Sequence, residues 1–187
     1  IISNASCTTN CVAPVAKVMV KEFGVVKAAM TTIHAYTSDQ RLLDNSHKDL
    51  RRARGAVTNI IPTSTGAADA VGAVVPELNG LFDGLAIRVP VVTGSLTDFT
   101  FLVNQPTTVE AVNQALINAS KTYLKGVLGV TDKPLVSSDV IGCEYSALVD
   151  LELTRVIDKD LVKVMAWYDN EWGYVTRLME LAHAAAG

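Results

Sequence analysis

Three cysteines and three histidines are the residues on which covalent chemistry could turn. The stretch SNASCTTNC, residues 3–11, sets Cys7 and Cys11 among Ser3, Asn4, Ser6, Thr8, Thr9 and Asn10. A thiol in that setting could be a nucleophile, a metal ligand, half of a disulfide or a small packing residue. Structural zinc takes four Cys or His ligands; with Cys143 far along the chain, no metal is expected. A nucleophilic thiol needs stabilisation of its thiolate and a nearby base. The candidate bases are His34, His47 and His183.

These side chains must be brought together by particular elements. Val12, Val15, Ala16, Met19 and Phe23 recur every three to four residues, the apolar face of a helix. Asn4 or Ser6 can cap its start and Gly24 can end it. Cys7 then falls in the first turn, where free N–H groups and about half a positive charge favour a thiolate and lower the thiol pKa. Cys11 lies one turn further in, among Val12 and Val15, and reads as packing. VVKAAMTTIHAY, residues 25–36, is rich in β-branched residues and predicts a strand ending near His34. A strand end beside a helix start lets two such side chains converge, so His34 is the candidate base. His47 lies in a polar, locally basic stretch, residues 37–57, without clean periodicity, expected to be a long irregular loop. His183 sits among alanines near the C-terminus.

Further on, the chain is expected to turn at Pro62 and start a helix around Thr65–Gly66. Residues 84–92 and 96–103 predict strands joined by a Thr-Gly-Ser turn. Thr107 and Glu110 have capping-box spacing before a helix whose face carries Val109, Val112, Leu116 and Ala119. LELTRVI and LVKVMAWY, separated by Asp158-Lys159-Asp160, predict a β-hairpin. The C-terminal stretch predicts a helix. Consecutive strands near the end, with little between them, imply antiparallel pairing. The fold class is α+β: a mixed, largely antiparallel sheet with helices packed on one face.

The 187 residues suffice for one domain with a real core; 49% are apolar and 19% charged, as in a globular chain. The net charge of −3 gives no footing for nucleic-acid binding. No apolar run approaches the ~18 residues of a membrane span. An odd number of cysteines in a chain of this length favours reduced thiols and a cytoplasmic setting. No Gly-x-Gly-x-x-Gly follows a strand, so a dinucleotide site of that kind is not expected within the chain. The opening Ile1-Ile2 reads as the end of a buried strand, and a missing upstream part is expected.

SNASCTTNC, TTIHAYT, RRARGAVTNIIPTSTGAA, PELNG, AIRVPVVTGS and WYDNEWGY together resemble the catalytic domain of bacterial phosphorylating glyceraldehyde-3-phosphate dehydrogenases. The likeness runs the length of the chain. It implies a catalytic domain over residues 1–187 whose C-terminal helix, 171–187, packs on an absent NAD-binding domain of roughly 150 residues. It implies that Cys7 attacks the aldehyde of glyceraldehyde 3-phosphate, that hydride leaves for NAD, and that inorganic phosphate releases the acyl group from a thioester. His34 matches the histidine that activates the thiol, through a thiolate–imidazolium pair. Thr37 and Arg88 match the holders of the substrate phosphate; Ser6, Thr8, Arg52, Thr65 and Gly66 match those of the attacking phosphate. Asn170 matches the residue that bonds the nicotinamide carboxamide, and Tyr174 lies beside it. Asp39 and the 37–57 loop match a loop at the subunit interface of a homotetramer.

Two positions depart from the pattern. Ser46, in LDNSHKDLRR, stands where many NAD-specific members carry proline, which leaves NADP open as cofactor. GCEYSALVD, residues 142–150, replaces a His-Ser-Ser segment. Three other readings stand beside the resemblance. An erythrose-4-phosphate dehydrogenase usually lacks the STGAA segment present at 64–68. A thiol acyl-transfer or hydrolase domain would have no use for Asn170. A catalytically silent assembly module would leave Cys7 unactivated.

Overall fold

The computed structural model describes residues 1–187. Four helices and eight strands follow one another as α1 (Cys7–Phe23), β1 (Val25–Ala35), β2 (Ile61–Ser64), α2 (Ala67–Val74), β3 (Phe82–Val89), β4 (Ser95–Val103), α3 (Val109–Lys121), β5 (Leu128–Thr131), β6 (Ala147–Asp150), β7 (Arg155–Ile157), β8 (Leu161–Tyr168) and α4 (Trp172–Ala186). The strands form one sheet in the order β2-β3-β1-β4-β8-β6-β5, with β7 paired to β8. β1 runs parallel to β3, and β5 parallel to β6; the other pairs are antiparallel. The α+β class and the mixed, mostly antiparallel sheet match the sequence reading. No helix is long and apolar enough to cross a membrane.

α1 forms where its pattern places it. Ser6 is the cap, accepting the Thr9 N–H at 3.0 Å, a contact worth about 1 kcal/mol. Gly24 ends the helix at φ +64°, a left-handed conformation that costs glycine little. The buried face of α1 (Val12, Val15, Val18, Met19) meets α2, α3 and the sheet residues Phe99, Phe101, Val162 and Val164. The rings of Phe99 and Phe101 stack with centroids 5.7 Å apart. Burying each such side chain favours folding by ~1.5–3 kcal/mol. This packing fixes the start of α1 over the sheet.

Three local expectations change. Pro62 is not a turn but lies within β2; because β2 is the edge strand, the missing N–H leaves no gap in the ladder. The cap of α3 is Thr108, whose side chain accepts from the Ala111 N–H, while Thr107 is buried one residue earlier. The first half of LELTRVI is a short 3-10 turn, Leu151–Leu153; only Arg155–Ile157 pairs with β8, through a turn with positive φ at Asp158 and Lys159. β3 and β4 are joined by the Thr-Gly-Ser stretch but do not pair, because β1 lies between them. Their connection therefore passes the C-terminal end of β1, with Tyr36 N–H donating to Val91 O at 3.2 Å. Residues 37–57 are largely irregular, as the composition suggests, broken only by an isolated bridge between Arg41 and Gly55 and by the start of a 3-10 turn, Ala56–Thr58.

Candidate active site

β1 ends at Ala35, one residue after His34, and α1 starts at Cys7. Their meeting puts Cys7 Sγ 3.4 Å from His34 Nε2. The parallel register of β1 and β3 sets Arg88 opposite His34. Arg88 Nη1 donates to the Ala35 carbonyl at 3.0 Å and touches His34 Nδ1. A cleft of about 320 Å³ is lined by Ser6, Cys7, Thr8, His34, Thr65, Gly66 and Arg88, with Ala5, Thr9, Ala67 and Ala70 completing its wall.

The protons of this group can be placed. His34 Nδ1 lies 2.7 Å from the Ala35 carbonyl, which can only accept, and also against the Arg88 guanidinium, which can only donate; we assign the proton to Nδ1, the tautomer that satisfies the carbonyl. Nε2 then offers its lone pair to the Cys7 thiol. Arg88 and His34 both donate to one carbonyl oxygen and face each other as donors. Burial and the Arg88 charge together hold the His34 pKa down at about 4. Burial also raises the Cys7 thiol above its ordinary value, more than the Thr8 hydroxyl and N–H and the Arg88 charge lower it. The lowered thiol pKa expected at a helix start is therefore not the resting state: desolvation outweighs the start of α1. Burial thus favours the neutral forms of both the thiol and the imidazole, which lie within hydrogen-bonding distance of each other.

The oxygens around the cleft are partly occupied. Ser6 Oγ takes the Thr9 N–H and lies 2.7 Å from Thr9 Oγ1. Thr8 Oγ1 bonds Tyr168 OH at 2.9 Å, and Thr65 Oγ1 accepts from Ala67 N–H. The backbone N–H groups of Cys7 and Thr8 have no oxygen acceptor in the chain. They are donors available to an anion at the helix start. Arg52 stands outside the lining: its fork reaches Asp39 Oδ2 at 2.6 Å, Thr63 Oγ1 at 2.7 Å and Ser64 O at 3.2 Å. Burial lowers the Arg88 pKa, and the Arg52 charge is still near enough to lower it further. Thr37 also lies off the lining, its N–H on Gln40 Oε1.

Asn170 and Tyr174 do not line this cleft either. Asn170 follows β8 and is buried against the β3–β4 connection, its Oδ1 accepting from Ser95 Oγ at 2.9 Å and Gly94 N–H at 3.1 Å. No protein group accepts from its Nδ2. Tyr174, half-buried in α4, accepts through its carbonyl from Asn4 Nδ2 at 3.2 Å. Cys11 is fully buried with its thiol pKa raised, as a packing residue should be.

Sequence reasoning passed over Tyr168. Its hydroxyl bridges Thr8 Oγ1 and Thr32 Oγ1, at 2.9 and 2.8 Å, and its ring stands edge-on to His34 with centroids 5.9 Å apart. Asp169 was also missed: it accepts from the N–H groups of Glu171, Trp172 and Gly142 and from the Thr93 hydroxyl, joining four segments. The only trace in sequence was the polar Tyr168-Asp169-Asn170 run at the end of an apolar strand.

A family model described as "Glyceraldehyde 3-phosphate dehydrogenase, C-terminal domain" matches residues 6–170. The chain is 59% identical over 186 residues to "Glyceraldehyde-3-phosphate dehydrogenase 2" of Trichormus variabilis, covering 100% of this chain and 55% of that protein. It is 58% identical over 181 residues to the "Glyceraldehyde-3-phosphate dehydrogenase" of Mycobacterium tuberculosis, covering 97% and 53% respectively. The chain spans about half the length of the curated relatives it matches.

Proposed function

Since the chain belongs to the family of the glyceraldehyde 3-phosphate dehydrogenase C-terminal domain, we propose that it carries the thiol chemistry of a glycolytic, phosphorylating aldehyde dehydrogenase. The observation that carries this reading is the 3.4 Å approach of Cys7 Sγ to His34 Nε2 beside Arg88.

In this reading His34 Nε2 takes the Cys7 proton as sulfur bonds the aldehyde carbon of glyceraldehyde 3-phosphate, and the proton passes to the new alkoxide to give a thiohemiacetal. The chemistry that a bound nicotinamide dinucleotide, NAD or NADP, supplies is acceptance of the hydride that takes this carbon to the thioester level. His34 accepts the hydroxyl proton as the carbonyl re-forms. Inorganic phosphate then attacks the carbonyl carbon, the C–S bond breaks, and 1,3-bisphosphoglycerate leaves with Cys7 regenerated. Sulfur suits both halves of this sequence, since a thiolate is a good nucleophile and a far better leaving group than an alkoxide.

Arg88 and Thr37 would hold the substrate phosphate. The N–H groups of Cys7 and Thr8, with Ser6, Thr65, Gly66 and Arg52, would serve the attacking one. An anion on Arg88 offsets the charge that, after burial, helps keep His34 neutral, which favours protonation of the imidazole when substrate is in place. Asn170 fits the dinucleotide, because its Nδ2 donors have no partner in the chain; Tyr174 would lie at the edge of the same contact. The exposed Trp172, Val175, Leu178 and Met179 of α4 support its packing on a separate dinucleotide-binding domain, and the exposed Leu42, Leu43 and Leu50 support burial of the 37–57 loop in a homotetramer.

Alkylation of the three cysteines, followed by peptide mass spectrometry, tests the reading. Glyceraldehyde 3-phosphate should protect Cys7 from iodoacetamide while Cys143 labels at its unprotected rate, and the Arg88→Met variant should lose most of that protection. Equal labelling of Cys7 with and without the aldehyde would sink the proposal.

A further inference from the structure

Ser95 was read in sequence only as part of a turn, yet it is 1% exposed and joins two parts of the site. Its Oγ accepts the Ala35 N–H at 3.2 Å and donates to Asn170 Oδ1 at 2.9 Å. Ala35 is the residue whose carbonyl holds the Nδ1 proton of His34. One short path therefore runs from the imidazole, through the last residue of β1, to the Asn170 amide.

The directions of these bonds are dictated. A backbone N–H can only donate, so the Asn170 atom facing Gly94 N–H, 3.1 Å away, is the amide oxygen. The Ala35 N–H occupies an acceptor position on Ser95, which leaves the hydroxyl proton to point at that same oxygen. Thr93 Oγ1 lies 3.4 Å from it and 3.2 Å from Asp169 Oδ1. The oxygen end of the amide is thus held from several sides. The NH2 end has no acceptor in the chain. An amide with free rotation could present either end to a ligand; this one presents donors only.

We propose that Ser95 is a positioning residue: it fixes the Asn170 amide with its NH2 toward the ligand, and it locks that orientation to the strand end that carries His34. The proposal rests on reading Asn170 as a nicotinamide contact, and it requires the matching ligand atom to be an acceptor, the carboxamide oxygen rather than its nitrogen. Gly94 supports the same arrangement. Its N–H donates to Asn170 Oδ1 at 3.1 Å from a residue at φ +89°, and a Cβ there would lie 2.2 Å from the Ser137 carbonyl oxygen.

Two measurements test it. In the isotope-labelled chain, coupling across the hydrogen bond should connect the Gly94 amide nitrogen to Asn170 Cγ; a missing cross-peak, with the β1–β4 ladder couplings visible in the same spectrum, overturns the assigned orientation. In a chain extended to the length of its relatives, Ser95→Ala should raise the KM for the oxidised dinucleotide about tenfold, ~1.4 kcal/mol, with kcat changed less than about threefold. Ser95→Thr, which keeps the hydroxyl, should restore most of the KM. A Ser95→Ala KM equal to wild type, or a loss confined to kcat, overturns the role of Ser95 and leaves the Cys7–His34 chemistry standing. The separate reading of Asn170 as a dinucleotide contact fails instead if Asn170→Ala leaves that KM unchanged.

Discussion

Arg88 and His34 donate to the same oxygen, the carbonyl of Ala35, at 3.0 and 2.7 Å. Their pairing follows from the parallel register of β1 and β3. It means that the imidazole expected to act as base is held neutral by burial first, and further by the guanidinium that would receive the substrate's phosphate. Replacing Arg88 with methionine keeps the stem and removes the charge. The His34 pKa should then rise from about 4 toward the ordinary histidine value near 6.5, read from its ring-proton NMR titration. A titration that stays near 4 would leave burial alone as the cause.

The same depressed pKa makes stability depend on pH. The unfolded chain binds a proton at His34 near pH 6.5, while the folded chain does so only at about 4. The contribution is complete above pH 6.5 and is lost as pH falls from there to about 4, by up to ~3 kcal/mol. Urea midpoints measured across that window should decline for the wild type and decline less for His34→Gln. Parallel curves for the two proteins would refute this source of acid sensitivity.

Tyr168 is buried, with its hydroxyl bonded to both Thr8 and Thr32. Tyr168→Phe strips both threonine hydroxyls of that shared partner in a site that water does not reach freely. A loss of about 1–3 kcal/mol is expected in chemical unfolding. A variant as stable as wild type would show that the hydroxyls find other partners.

Gly94→Ala should be among the most damaging single-atom changes in the chain. The residue sits at φ +89°, and its new Cβ would fall 2.2 Å from the Ser137 carbonyl oxygen, which belongs to backbone and cannot swing away. A cost above about 2 kcal/mol is expected from strain and displacement together. Circular-dichroism melts of Gly94→Ala against Gly126→Ala make the comparison, because Gly126 shares the positive φ but meets nothing within 4 Å.

α4 has one buried residue, Gly173, and is held partly by Arg177 Nη1 on the Gly126 carbonyl at 2.8 Å. Its backbone amides beyond Arg177 should exchange with deuterium orders of magnitude faster than those of β1 or β4, since few buried contacts oppose local opening. Protection equal to the central strands would show that the helix is held by more than these contacts.

Local chemistry and periodicity were enough to place α1, to narrow its cap to Asn4 or Ser6, and to place the end of β1 near His34 and the irregular 37–57 loop. Each depends on short-range rules, and the motif content around Cys7 and His34 pointed to the family. The order of strands was not legible, because which strand lies beside which is a matter of long-range packing. That order inserts β1 between β3 and β4, sets Arg88 against His34, and carries the Thr93–Ser95 turn past the end of β1 to meet Asn170. It also decides the charge state of the site. A helix start in isolation favours a thiolate, whereas burial of Cys7 beneath the sheet end favours the thiol, and desolvation is the larger effect.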